Sequence, residues 1–99
     1  MAALTAKQRA HLKALAHPLK PLFQIGRDGV TDNVVGTIAS ALETRELLKV
    51  KVLEGAPVSA REAADELGER VEGMHVVQVI GRTIVLYRRH PEEPVIRLP

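Results

Sequence analysis

The stretch LFQIGRDGVTDNVV, residues 22–35, decides how this chain is read. An apolar run over residues 22–25 stops at Gly26, Arg27 and Asp28 follow, and Gly29 leads into Val30 and Thr31. Val30 before Thr31, with Val34 four residues after Val30, has the form of a hydrophobic staple around a threonine N-cap. Val34, Ile38 and Leu42 then continue at helical spacing, so a helix begins immediately after Gly29. Two glycines so placed between a strand and a helix have two physical readings. One is a tight turn, for which glycine supplies backbone freedom. The other is a phosphate clamp, because the N–H groups and dipole of a helix start attract an anion and the missing Cβ lets it come close. Arg27 adds a cation and Asp28 cancels it, so a clamp here needs cations from elsewhere in the chain.

The flanking sequence supplies the rest of the architecture. Thr5-Ala6-Lys7-Gln8 is a capping box, and Leu12, Leu15 and Leu19 follow at helical spacing until Pro18 and Pro21 forbid continuation. Helix one therefore covers residues 6–16. Residues 47–53, LLKVKVL, alternate, with Leu48, Val50 and Val52 on one face and Lys49 and Lys51 on the other, which is strand periodicity. Ser59-Ala60-Arg61-Glu62 is a second capping box, opening a helix with Ala63, Ala64, Leu67 and Val71 on its apolar side. Residues 76–80 and 83–87 are β-rich runs joined by Gly81-Arg82, a two-residue loop suited to a type II′ hairpin. The order α-β-α-β-α-β-β makes one α/β domain over residues 1–90. Residues 91–99, with their prolines, form a C-terminal tail lying along its surface.

Composition narrows the function classes. The chain has 99 residues, 45% hydrophobic and 26% charged, in the range of compact globular domains. It has no cysteine, which excludes disulfides, thiol nucleophiles and cysteine-bound zinc. No apolar stretch approaches a membrane span, and Lys7, Arg9 and Lys13 interrupt any secretory-type run, so the expected location is cytoplasmic. His11 and His17 are six apart, a poor fit to one helix face, and no carboxylate lies near them in sequence, so neither a metal nor another cofactor is expected. No nucleophile and base are paired, and the chain is read as non-catalytic.

Charge is distributed unevenly. Up to Arg27 the cations are Lys7, Arg9, Lys13, Lys20 and Arg27, with no acid among the first 27 residues. Residues 59–73 instead carry Glu62, Asp65, Glu66, Glu69 and Glu72 against Arg61 and Arg70. These read as an exposed helical face with i,i+4 pairs. A basic end of this kind points to a polyanion. Phe23 and Tyr87 are the only aromatic residues, so base stacking lacks its usual platform and recognition leans on backbone and shape.

The run from LTAKQRAHLKALAHPLKPLFQIGRDGVTDNVV through ALETRELLKVKV to VVQVIGRTIVLYRR resembles the YhbY family, stand-alone bacterial forms of the CRM (chloroplast RNA splicing and ribosome maturation) domain. The resemblance implies a mixed four-stranded sheet with three helices, similar to the C-terminal domain of translation initiation factor three. It also implies RNA as partner, with ribosomal RNA in precursors of the large subunit expected, bound by a monomer. Mapped on this sequence, the family's RNA surface falls on Gly26, Arg27, Asp28 and Gly29 with Lys7, Arg9, Lys13 and Lys20 beside them, and Lys49 and Lys51 extend the patch. Asp28 departs from the family, whose loop more often has a neutral or basic residue there. The alternative from another class is a protein-interaction adaptor using the acidic helix of residues 59–73 or the C-terminal tail.

Overall fold

The computed structural model describes residues 3–99. Three helices and four strands follow in the expected order: α1 (Ala6–Ala16), β1 (Phe23–Ile25), α2 (Asp32–Ala41), β2 (Leu47–Val52), α3 (Ala60–Arg70), β3 (His75–Ile80) and β4 (Thr83–Tyr87). The capping boxes set both starts they were expected to set. The Thr5 hydroxyl accepts the Gln8 N–H while Gln8 Oε1 accepts the Thr5 N–H, each at 3.0 Å. Ser59 and Glu62 do the same for α3 at 3.1 and 2.9 Å, and the Ser59 N–H holds the Glu62 carboxyl below the usual carboxylate range. Helix α2 starts at the threonine cap that the sequence offered. Thr31 is its N-cap, accepting the Val34 N–H at 3.1 Å, so Val30 belongs to the connection rather than to the helix.

The sheet order is β1-β2-β4-β3. β1 and β2 are parallel, as the intervening helix requires, and the other pairs are antiparallel. Helices α2 and α3 cover one face, where Ile38, Leu42 and Leu67 pack on Ile25, Val50 and Ile84. Helix α1 covers the other, placing Leu12 and Ala16 against Val77, Val85 and Tyr87. β4 is thus enclosed on both sides, which explains why Ile84 to Tyr87 reads as continuous apolar sequence rather than alternation. Burying one such side chain completely, as Leu12 is, contributes about 1.5–3 kcal/mol. Gly81 has φ of 56° while Arg82, like every other non-glycine among the described residues, has none that is positive, as a type II′ turn with glycine leading requires.

The tail lies along the surface, as expected, and is fixed there at defined points. Ile96 and Leu98 pack on the α1-side core. Glu46, a buried acid just before β2, accepts the backbone N–H groups of His90 at 2.8 Å and of Val95 and Ile96 at 2.7 Å each. Desolvation pushes its carboxyl up, but these three N–H groups outweigh it and hold it below the usual carboxylate range.

Candidate nucleic-acid interface

The glycine pair closes a β-turn. The Gly29 N–H donates to the Gly26 carbonyl at 3.0 Å, with Arg27 and Asp28 exposed at its corners. The two glycines differ in what they do. Gly29 has φ of +71°, which favours glycine, and a Cβ there would also stand a tight 3.2 Å from Pro57 Cγ. A Cβ on Gly26 would make an ordinary 3.7 Å contact with Leu53, so the fold does not require glycine there. Beyond the turn, Arg70 of α3 donates to the Val30 carbonyl at 3.0 Å, pairs with Glu66 at 3.1 Å and also pairs with Asp32. It thereby braces both sides of the Thr31 cap. The expected i,i+4 pairing is present for Arg70, whereas no ion pair of Arg61 occurs among the described residues.

The cations expected beside the turn divide into two groups. Arg9 is turned to the fold. A register shift between Val76 and Gln78 leaves Val77 as an extra residue, and the Arg9 guanidinium donates to the carbonyls of Val76 and Val77 at 2.8 and 2.6 Å. Lys49 is also engaged, its Nζ donating to the carbonyls of Leu19 at 3.0 Å and His17 at 3.3 Å, where the end of α1 leaves acceptors unsatisfied. Lys7, Lys13, Lys20, Lys51 and Arg27 are exposed. Lys7 lies toward the far end of α1, six residues from Lys13, a rise of about 9 Å. Its neighbour Gln8 reaches the Pro99 carbonyl.

Arg27, Lys51 and Lys13 lie toward one end of the sheet, whereas Lys20 precedes β1 at its amino end. The turn leaves the C-terminal end of β1, and β2 ends beside it, with the Leu53 N–H donating to the Ile25 carbonyl at 2.8 Å. Lys51 stands in register with Gln24 on one side and Thr83 on the other. Lys13, His17 and Lys49 line a concavity of about 150 Å³ with Gln78, Ile80 and Thr83. Arg82, at the hairpin tip, is held there by its carbonyl, which accepts the Val52 N–H at 2.7 Å. The carboxyl ends of two parallel strands, a turn opening a helix and several exposed cations form the arrangement in which α/β folds commonly place anionic ligands. Among the described residues no group of His, Asp and Glu has metal-binding geometry, and no helix is long and apolar enough to cross a membrane.

The family model for the CRS1 / YhbY (CRM) domain matches residues 4–88. The chain belongs to the CRM domain family. Among relatives, it is 46% identical to "Probable RNA-binding protein YqeI" of Bacillus subtilis, covering 97% of this chain and 99% of that one. It is 40% identical to an "RNA-binding protein" of Haemophilus influenzae, over 100% of this chain and 98% of its relative. The solution structure of SAV1595 from Staphylococcus aureus superposes with a TM-score of 0.81 at 43% identity, covering 98% of this chain and 100% of that one. The tail carrying Val95 and Ile96 lies outside the CRM match but within the span shared with these relatives.

Two contributors escaped sequence reasoning. Arg70 sits in an acidic helix and looks like half of a surface pair, and nothing local signals that it reaches Val30, 40 residues away. Glu46 looks like an ordinary acid in a connection, because its three donors come from a tail more than 40 residues later.

Proposed function

We propose that this CRM-domain chain is a non-catalytic RNA-binding protein whose contact surface is the turn of residues 26–29 with Arg27, Lys13, Lys20 and Lys51. The observation that carries this reading is that Arg27 and Lys51 are exposed at the carboxyl ends of β1 and β2, with Lys13 lining the concavity beside Thr83. The names of its relatives support RNA as the polyanion. The resemblance to the YhbY family supports ribosomal RNA in large-subunit precursors, met in the cytoplasm by a monomer, as the working target. The adaptor alternative has less support. Arg70 gives the acidic helix a role inside the fold, and the tail is occupied with Glu46 and the α1-side core.

Phosphate-led binding has a defined salt dependence. If about four to six phosphates are neutralised, log affinity for single-stranded RNA falls with log salt at a slope of roughly −3 to −4. Replacing Lys13, Lys20 and Lys51 together by Ala reduces that slope by about 2 and leaves the melting temperature nearly unchanged, since exposed charges contribute little stability. A slope near zero for the unmodified protein rules the reading out. For the ribosomal part, gradient sedimentation of cell extract is decisive. Nuclease-sensitive co-migration with large-subunit precursors is expected, whereas nuclease-resistant co-migration favours the adaptor.

A further inference from the structure

Next to the turn lies a cavity of about 410 Å³, within the size range of small-ligand sites. Leu53, Pro57 and Val58 supply apolar lining, and Glu54 and Arg82 supply charge. The cavity and the turn share walls, because Pro57 is the residue a Cβ on Gly29 would crowd and Leu53 is the one a Cβ on Gly26 would touch. A strand whose phosphate rests on the turn therefore has its neighbouring nucleotide beside this opening.

The polar groups are placed without being consumed. Arg82 and Glu54 approach to 3.8 Å, beyond direct hydrogen-bond distance, with side chains 52% and 91% exposed. An exposed pair of this kind is worth little to the fold, so a ligand can replace it at small cost. Glu54 can only accept hydrogen bonds and Arg82 can only donate them. Guanine matches that division: N1–H and the 2-amino group present two adjacent donors to a carboxylate, while O6 and N7 accept from arginine. Adenine and cytosine offer a carboxylate one amino group, and uracil one imino group between two repelling carbonyl oxygens.

We propose that the cavity between Glu54 and Arg82 is a base pocket that takes an unpaired guanine adjoining the phosphate held at residues 26–29. This rests on the RNA-binding reading and adds a base preference to it. The chain then reads sequence at one position while gripping the backbone elsewhere.

The test measures binding of the full chain at low salt to a short oligouridine and to the same oligomer with one central uridine replaced by guanosine, cytidine, adenosine or inosine. The guanosine oligomer should bind roughly tenfold more tightly than the oligouridine, as a bidentate base contact provides, and inosine, lacking the 2-amino group, should fall between them. Glu54→Ala should abolish the guanosine preference while leaving oligouridine binding unchanged or tighter, since an acid has left the surface. Arg82→Ala should also abolish it, and both variants should keep the melting temperature. Equal binding of all the oligomers, a preference for another base, or a guanosine preference that survives Glu54→Ala overturns the pocket and leaves RNA binding standing. Failure of every oligomer to bind overturns both.

Discussion

The two ends of the sheet use charge in opposite ways. At the end where β4 finishes, Glu46 is buried and its carboxylate is saturated by three backbone donors that hold the tail over α1. At the end where β1 and β2 finish, Arg27, Asp28, Lys51, Glu54 and Arg82 are exposed, with the long Glu54–Arg82 pair as their described ion pair. A charge taken out of water must be fully hydrogen-bonded, and then it stabilises the fold; a charge left in water contributes little to folding and stays available to a ligand. The contrast teaches that the hydrogen bonds a charged group makes within the chain, more than its residue type, separate the ionic groups that serve the fold from those left open to a ligand. Arg9 and Arg27 make the same point within the cations, one donating to two strand carbonyls and the other at the corner of a turn.

The largest effect should come from breaking the buried end. Glu46→Ala leaves three backbone donors without their acceptor, with an expected loss on the order of 3 kcal/mol and a fall in Tm of more than about 10 °C by thermal denaturation. RNA affinity of the folded fraction should be unaffected. Equal stability of variant and parent would remove Glu46 from its structural role. The same group predicts a pH dependence. Its carboxyl is lowered in the folded state, so its stabilisation is present above the unfolded carboxylate value of about 4.3 and is lost as pH falls through the lowered folded value. Glu46→Gln, which cannot titrate, should flatten the acid limb of the stability curve below about pH 4.3.

Next is the exposed end, where binding should change and stability should not. Arg27→Asp places an anion beside the proposed phosphate, and RNA affinity should drop by about 1–3 kcal/mol with Tm nearly constant; Asp28→Lys should tighten binding. Unchanged affinity in both, measured at low salt on folded protein, would reduce residues 26–29 to a turn and move the contact to α1.

The glycines sharpen the comparison at the smallest scale. Gly29→Ala should cost roughly 1–2 kcal/mol of stability, because φ of +71° strains an L-residue and Pro57 stands in the way. Gly26→Ala should be neutral or stabilise by about 0.4–1 kcal/mol through the unfolded chain. That makes it a clean probe of close approach: weaker RNA binding in a variant that melts no lower means the missing Cβ at Gly26 serves the ligand, and unaltered binding means it does not.

What the sequence by itself determined was everything carried by short-range signals. Capping boxes four residues long placed the starts of α1 and α3, alternation placed the buried face of β2, and a glycine-led pair placed the β3–β4 hairpin, since each rests on hydrogen bonds or side-chain periodicity inside one element. The Thr31 cap was legible for the same reason. The tertiary structure alone decided which charges serve the fold. Arg9 meets its acceptors 67 and 68 residues away, Lys49 about 30 away, Arg70 at 40, and Glu46 between 44 and 50. The Gly26–Gly29 turn shows the boundary within four residues. Its spacing was visible in the sequence, but that Gly29 takes a left-handed φ with Pro57 close by, while Gly26 meets only an ordinary contact with Leu53, was decided by the folded connection.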